Sequence, residues 1–376
     1  MLGAIKSADW LDRKRVEDYS RLIAFLYIPG LAFLLLVATD QISFPRDATG
    51  TDFQSFWTAA HMWLGGGNPY DFAAFSARQS GSIYAFLYPP PFLVALLPLG
   101  NLPYELALLA WVTFGIAVFL TTARHLSPSI WPVIAFPPLL INAAHGQNGA
   151  ITAAMFVAAA LNVEKRPFLA GTLLGCLIMK PHLVLLFPVA FLAWKRWETI
   201  AGGIVGAFAC VAVSIAVLGP QPWVDFMSKA SEARELLQHN AMLLPKLVSL
   251  FGAVRAPGGP LWLAYSLQGM AALIAAYCVI KARGDLQFGM AVLATGAVLA
   301  TPFIYSYDLL ILIVPLAWLA GDGIERGFKP WVKAIMVAAY GVALIDRTLA
   351  IHVGVNPAFA VHMLLMAALF HQRRKC

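Results

Sequence analysis

The sequence predicts an all-α, polytopic membrane protein. Of its 376 residues, 60% are hydrophobic and only 12% are charged, about half the charged fraction of a soluble domain. Apolar runs recur along the whole chain, and no separate soluble domain is visible between them. The net charge of +7 comes from basic residues in short turns between these runs. This pattern follows the positive-inside rule of membrane proteins and does not indicate nucleic acid as a partner.

The apolar runs predict one integral membrane domain, residues 1–376, with roughly 11 to 13 transmembrane helices, since a span needs about 20 apolar residues. Several runs are too short for a full span, and irregular backbone at membrane depth needs cover from protein or a water-filled cavity. The short runs therefore indicate a cavity. Good single spans are 21–39, 104–123, 199–218, 260–280 and 331–350. Shorter pieces are 84–100, 130–143, 149–161, 167–179, 182–194, 286–300, 308–320 and 356–370.

The basic turns predict the orientation, because lysine and arginine favour cytoplasmic loops. Counting crossings between these turns places two longer loops, 40–83 and 219–259, outside. Arg124 conflicts with this count, and we resolve the conflict by letting 130–145 dip into the membrane and return. The polar turn at 145–148 then lies outside as well, whereas the alternative puts it inside. The turns at 179–182 and 305–308 are also expected outside.

The first outer loop, 40–83, contains two helix-compatible stretches, 53–64 and 71–79, separated by a glycine-rich turn at 65–70. Aromatic-rich amphipathic helices of this kind lie in the plane of the membrane interface. The second outer loop has a further helix-compatible stretch at 222–239. We therefore expect interfacial helices on the outer face.

Asp52 is the main candidate for chemistry, because it lies beside aromatic residues just past the first span. One interpretation is that it caps a helix starting at Phe53 and accepts hydrogen bonds from free backbone amides. The other is a general base at the rim of a cavity. Asp40 and Asp47 are rival carboxylates in the same loop.

Three further polar islands interrupt apolar segments on the same predicted face, and we expect them to converge. A lysine at a helix break would suit a phosphate, although a cation snorkelling to the interface is an equally simple explanation. The other islands could merely satisfy the backbone of irregular turns. The candidates are His145, Gln147, Asn148, Lys180, His182 and Asp308.

Familiar signatures of soluble enzymes and pumps are absent from the sequence. It contains no P-loop, no HExxH, no GxSxG and no CxxC pair, which disfavours a nucleotide-driven pump or a zinc protease. The four cysteines show no metal-ligand spacing and no cluster of carboxylates forms an evident metal site. We expect neither a metal nor a cofactor.

Several short motifs follow one another along the first half of the chain: Asp52-Phe53, Ala59-Ala60, Gly66-Gly67-Asn68-Pro69-Tyr70-Asp71, Tyr88-Pro89-Pro90, Gly146-Gln147-Asn148 and Lys180-Pro181. In this order and spacing they resemble glycosyltransferase family 87. That family includes membrane mannosyltransferases that use polyprenyl-phosphate mannose. At 301–308 the sequence reads TPFIYSYD, where some members have a Ser-Pro-x-Ser-Trp-x-His-His-like motif.

The resemblance implies a GT-C fold and an inverting transfer of a mannose-like hexose from a polyprenyl-phosphate donor. The acceptor would be a lipid or glycan on the outer face of a bacterial inner (plasma) membrane, among membrane lipids. Asp52 would act as base, with Lys180 and His182 at the donor phosphate. Residues expected to contact sugar or acceptor are Gln147, Asn148, His145, Trp57, Tyr70 and Asp308.

Two other functions stay open at this point. A secondary transporter would show internal symmetry and charges deep within spans, and neither is visible. A noncatalytic assembly protein of the cell envelope is the second alternative.

Overall fold

A computed structural model describes residues 2–38, 41, 51–78 and 85–373. The rival carboxylates Asp40 and Asp47 lie outside the described residues, as does the stretch 79–84 of the first outer loop. Where it is described, the chain is helical, with a single isolated β-bridge between Leu247 and Tyr305.

The described residues of the first half form twelve α-helices, several of them short. Two single turns of 3-10 helix, Leu177–Met179 and Pro181–Val184, follow the tenth helix. The α-helices are α1 (Leu2–Ser7), α2 (Arg13–Ala38), α3 (Thr51–Leu64), α4 (Phe72–Ser76), α5 (Pro90–Gly100), α6 (Tyr104–Ala123), α7 (Trp131–Ile134), α8 (Pro137–His145), α9 (Gly149–Asn162), α10 (Pro167–Cys176), α11 (Phe187–Ala193) and α12 (Trp197–Leu218).

The second half continues with nine α-helices, and 3-10 segments at Leu244–Lys246, Ser306–Leu312 and Val342–Leu344. The α-helices are α13 (Gln221–Ser228), α14 (Ala230–His239), α15 (Leu250–Arg255), α16 (Leu261–Lys281), α17 (Leu286–Ala300), α18 (Ile313–Arg326), α19 (Val332–Gly341), α20 (Asp346–His352) and α21 (Ala358–Arg373).

Long apolar helices confirm the predicted fold class, an all-α polytopic membrane protein. Within the described residues, four helical stretches are long and apolar enough to cross a membrane: Tyr104–Ala123, Trp197–Leu218, Leu261–Lys281 and Ser306–Arg326. Their surfaces fit a lipid environment, since on α12 the side chains of Ile204 and Phe208 are 65% and 71% exposed.

One predicted single span is not a continuous helix. The stretch 331–350 is broken after Leu344 into two parts that meet at 63°. Asp346 begins the second part and is buried. Its carboxylate accepts a hydrogen bond from Ser306 Oγ at 2.7 Å. A buried, hydrogen-bonded carboxylate in the middle of an apolar segment interrupts a helix that composition alone predicts to be continuous.

Small residues let α10 and α12 pack closely. A Cβ added at Gly171 would collide with the carbonyl oxygen of Thr199, and one at Gly206 with that of Thr172. Membrane helices associate through such small-residue faces, because van der Waals contact replaces the hydrophobic effect in lipid. This pair therefore forms a rigid support beside the helix break that follows α10.

Besides a small group around α15, the buried apolar side chains form a large cluster around α9, α17 and α21 and a smaller one around α3, α5 and α6. Helix α17 is buried from Phe288 to Ala300, as expected for a helix that is hydrophobic on all sides. The polar islands lie between these two apolar clusters, at the ends of helices that belong to both.

Candidate functional site

Four polar segments that are far apart in the sequence converge in one cluster. The carboxylate oxygen Oδ2 of Asp52 accepts a hydrogen bond from Gln147 Nε2 at 3.3 Å. Lys180 Nζ donates to Asn148 Oδ1 at 2.8 Å and forms an ion pair with Asp308 Oδ1. The polar cluster, defined here as Asp52, Gln147, Asn148, Lys180 and Asp308, therefore joins α3, the α8–α9 turn, the break after α10 and the 3-10 helix before α18.

Asp52 lies inside the first turn of α3, because the helix already begins at Thr51. It therefore does not occupy the N-cap of a helix starting at Phe53. A carboxylate in the first helical turn is still stabilised by the helix dipole. Its side chain is half-buried, which leaves it within reach of a bound molecule.

The turn that carries Gln147 needs glycine. Gly146 has φ +62° and ends α8 in a Schellman motif, in which Gln147 N donates to Asn142 O at 2.9 Å and Gly146 N to Ala143 O at 3.1 Å. An added Cβ at Gly146 would lie 2.5 Å from Phe53 Cβ. Phe53 directly follows Asp52 in α3. The close approach of Gly146 to Phe53 therefore sets the distance between the α8–α9 turn and α3.

A second glycine brings the turn against the segment of Asp308. A Cβ at Gly149 would collide with the carbonyl oxygen of Tyr307 and would lie 2.8 Å from Asn142 Oδ1. Asn142 Oδ1 also accepts from Ala150 N at 3.1 Å, so a buried side chain of α8 satisfies the start of α9. The turn is thus fixed on both sides by backbone geometry.

Lys180 is placed by a break between two 3-10 turns, with Pro181 preventing a continuous helix. The side chain is only 3% exposed. Its ammonium donates to Asn148 and Asp308 and lies 5.2 Å from the ring centre of Tyr307. Because the Asp308 carboxylate balances its charge, this geometry favours a positioning role for Lys180. The role predicted for it at the donor phosphate stays a prediction.

Asp308 sits in the first turn of the 3-10 helix Ser306–Leu312, where its Oδ2 accepts from Tyr305 N at 3.3 Å. The rings of Tyr305 and Tyr307 stack with centroids 5.4 Å apart. Both oxygens of Asp308 are therefore engaged by the protein. A sugar hydroxyl would have to share them with Lys180 or the backbone.

Tyr88 completes the polar cluster, although residue chemistry alone did not single it out. Its hydroxyl donates to Gln147 Oε1 at 3.2 Å, and Gln147 Oε1 also accepts from Asn148 N at 2.9 Å. Burial raises the pKa of the Tyr88 hydroxyl well above its usual value, so the phenol stays protonated and can donate. The sequence did contain one signal for Tyr88, because this residue belongs to the Tyr88-Pro89-Pro90 motif that resembles the family.

The two candidate histidines lie at the margin of the cluster. The ring of His145 is 6.2 Å from that of Tyr307 and lies within electrostatic range of Asp52. His182 lies within electrostatic range of Lys180 and Asp308. His145 Nδ1 and His182 Nε2 are buried and have no hydrogen-bond partner among the described residues.

Trp57 and Tyr70 lie apart from the cluster, although both were predicted to contact the sugar. Trp57 is five residues beyond Asp52, about 140° away around the helix, and its Nε1 donates to Leu102 O at 3.0 Å. Tyr70 is 1% exposed, and its hydroxyl donates to the Tyr88 carbonyl at 3.0 Å. Trp57 anchors α3 to the loop between α5 and α6, and the Tyr70 hydroxyl holds the backbone of Tyr88.

The two carboxylates of the cluster have different environments. Asp308 is buried against an ammonium, whereas Asp52 is half-buried and meets an amide, with no salt bridge to any described lysine or arginine. Asp52 is therefore the more accessible and less neutralised of the two carboxylates. Over the described ranges, no three His, Cys, Asp or Glu side chains come together as metal ligands would.

Comparison with known proteins gives one match. The sequence profile of glycosyltransferase family 87 matches residues 86–302, which is more than half of the chain and includes Gln147, Asn148 and Lys180. Asp52 and Asp308 fall outside the matched range. No curated protein and no solved structure matches the chain.

Proposed function

The chain belongs to glycosyltransferase family 87, and from this premise we propose that it transfers a mannose-like hexose from a polyprenyl-phosphate donor to a lipid or glycan acceptor. The proposed site is the polar cluster, facing the outside of a bacterial inner or plasma membrane. The observation that carries the proposal is the contrast between its two carboxylates. Asp308 is neutralised by Lys180, while Asp52 is half-buried and has an amide as its neighbour.

The proposed step is a single displacement at the anomeric carbon. Asp52 takes the proton of the acceptor hydroxyl, and the acceptor oxygen forms a bond to the anomeric carbon as the bond to the phosphate oxygen breaks. The electron pair of the broken bond leaves with polyprenyl phosphate, a stable anion that needs little help from a general acid. Attack opposite to the leaving group inverts the anomeric configuration.

Gln147 is proposed to position the base rather than to bind sugar. Its Nε2 donates to Asp52, while its Oε1 accepts from Tyr88 and from the Asn148 backbone. This fixed network leaves the amide no freedom to rotate. Asn148 has a different role, because its Nδ2 is buried without a partner among the described residues. A sugar hydroxyl would satisfy that donor.

An apolar cavity beside the cluster supports a lipid-linked substrate. It has a volume of about 230 Å³ and is lined in part by Tyr70, whose hydroxyl donates to the carbonyl of Tyr88, the residue that is bonded to Gln147. We propose that the first isoprene units of the donor occupy it. Lys229 and Arg234 also line this cavity and would face an anionic lipid. Its main apolar walls are Tyr70, Phe72, Phe86, Phe226 and Phe303.

The test compares transfer by wild type and Asp52→Asn, with full-length protein in nanodiscs, a polyprenyl-phosphate hexose and candidate acceptors. Asparagine keeps an oxygen for Gln147 Nε2, so the fold should persist while turnover falls by about 10²- to 10⁴-fold. Asp71→Asn is the matched control. Asp71 caps α4 by accepting from the amides of Ala73 and Ala74, and asparagine caps almost equally well.

Wild-type transfer with equal transfer by D52N would exclude Asp52 as the base. Transfer from a nucleotide sugar, with none from any polyprenyl-phosphate sugar, would exclude the proposed donor while leaving the family assignment intact.

The proposed orientation has its own test. Met242 is 81% exposed in the second outer loop, and Arg283 is exposed just after the other end of α16. A membrane-impermeant maleimide added to intact cells should label Met242→Cys above the wild-type background and should not label Arg283→Cys. The reverse pattern would place the polar cluster on the cytoplasmic face.

A further inference from the structure

Two basic residues flank the segment that carries Asp308, one on each side. On the first side, Val248 N donates to Ile304 O at 3.0 Å, and Leu247 bridges to Tyr305. Lys246 directly precedes this bridge. The segment Leu244–Lys246 in turn packs against α20.

On the other side, the start of α20 is tied to the same segment. Ser306 Oγ donates to Asp346 Oδ2 at 2.7 Å, and Arg347 N donates to Asp346 Oδ1 at 2.6 Å. Asp346 is 1% exposed, so its two oxygens are committed to these neutral donors. The side chain of Arg347 is half-buried and has no salt bridge with any carboxylate of the described residues.

Both basic residues border the segment of Asp308, because Leu247 bridges to Tyr305 and the Asp346 carboxylate accepts from Ser306, three and two residues before Asp308. Within the cluster, the charges of Lys180 and Asp308 cancel. The guanidinium of Arg347 forms no salt bridge with a carboxylate of the described residues, although it lies within range of the charge of the preceding residue, Asp346. A half-buried cation in this setting favours a bound anion.

We infer that Arg347, with Lys246 beside it, binds the phosphate of the lipid-linked donor. The inference rests on the proposed function, since it assigns the leaving-group half of that site. Arginine presents a planar fork of N–H donors that matches phosphate oxygens. In the transfer step the bridging oxygen gains negative charge as its bond to the sugar breaks, and a cation placed there stabilises the transition state. Lys180 then positions Asn148 and Asp308 around the sugar, and Arg347 supplies the charge.

The test measures binding of polyprenyl phosphate, the leaving group itself, so that it needs neither an acceptor nor turnover. Full-length protein in nanodiscs is titrated with polyprenyl phosphate and, separately, with the uncharged polyprenol. Arg347→Met should weaken binding of polyprenyl phosphate about tenfold, equivalent to about 1.4 kcal/mol, and leave polyprenol binding unchanged. Arg347→Lys should have an affinity for polyprenyl phosphate between those of the wild type and R347M, because it keeps the charge and loses the fork of donors. The wild-type preference for the phosphate should fall as salt is raised.

Arg283→Met is the matched control, because this arginine is exposed just beyond α16. It should bind both lipids as the wild type does. Should R347M prove unstable in thermal unfolding, Lys246→Met gives the same test from the opposite side of the segment.

Two results would overturn the inference: equal affinity of wild type and R347M for polyprenyl phosphate, or no wild-type preference for polyprenyl phosphate over polyprenol. The transfer assay distinguishes this from failure of the proposed function. Transfer that depends on Asp52 but not on Arg347 would leave the function standing and the phosphate site wrong. Arg347-dependent phosphate binding without transfer would retain the phosphate site and reject the proposed function.

Discussion

The buried ion pair between Lys180 and Asp308 offers the most demanding test of the site's geometry. Lys180→Met removes the cation and keeps an unbranched chain, and Asp308→Asn removes the negative charge and keeps the shape. The two side chains are 3% and 0% exposed. Each single change therefore leaves an uncompensated charge in an environment that water barely reaches.

The magnitude follows from this burial. Removing one partner of a buried pair costs about 3–5 kcal/mol, whereas replacing both partners by neutral groups is often close to neutral. In the double variant, the introduced asparagine would still offer an oxygen to Tyr305 N, which donates to Asp308 Oδ2 at 3.3 Å in the wild type. Asn148 Oδ1 loses its hydrogen-bond donor in the double variant, because Lys180 Nζ donates to it in the wild type. Leaving that oxygen unsatisfied costs about 1–3 kcal/mol. The double variant should thus be more stable than either single variant.

The measurement is a double-mutant cycle on the free energy of unfolding, obtained by denaturing detergent titration in mixed micelles. The coupling energy between the two positions should exceed about 2 kcal/mol, which is in the upper part of the range for residues in contact. The control pair is Lys229–Glu232, at the start of α14, joined at 2.7 Å but with side chains 38% and 53% exposed. Solvent screens this surface pair, so its cycle should show little coupling.

Additive effects at Lys180 and Asp308 would refute the reasoning, because they would mean that the two charges do not share a buried environment. Transfer activity gives a second readout. The double variant should regain stability without regaining transfer, since Asn148 loses the donor that orients it.

Three further perturbations test the arrangement around the proposed base. Gly146→Ala should destabilise the protein by about 1–2 kcal/mol or more, because its φ of +62° disfavours L side chains and its Cβ would meet α3. Gly269→Ala, in α16 with open space around it, should be neutral or stabilising by about 0.5–1 kcal/mol in the same unfolding assay. Tyr88→Phe removes the hydroxyl bonded to Gln147 and should lower kcat roughly twofold to tenfold; an unchanged kcat would show that this bond does not hold the base. Trp57→Phe should leave the KM for the donor unchanged, because the indole points away from the cluster, and a large rise would return Trp57 to the sugar site.

Much of the architecture could be predicted from local signals. Hydropathy and chain-breaking residues set the limits of 104–123 and 286–300, which are helices Tyr104–Ala123 and Leu286–Ala300. The predicted helix 53–64 is Thr51–Leu64, and the turn after it begins where the glycines begin. These features depend on neighbouring residues and on apolar length. Similarly, the polar islands were visible because charge and amide groups are rare in this chain.

The predicted span 331–350 is broken for a physical reason that composition does not contain. Its Asp346 is buried by a bond to Ser306, forty residues away. A buried carboxylate with partners can interrupt an apolar segment, and those partners are known only once the chain is packed.

The sequence by itself determined the membrane class, the family resemblance and the polar side chains available for a site, since each is written in composition and short motifs. Only the tertiary structure decided how they pair: Lys180 with Asp308, Gln147 with Asp52, and Trp57 turned away from both. It also bonded Tyr88 to Gln147 and placed Arg347 beside Asp346, whose carboxylate accepts from Ser306. The reason is that helix ends distant in the chain meet through packing angles and glycine contacts. A one-residue rotation of a helix turns a side chain by about 100°.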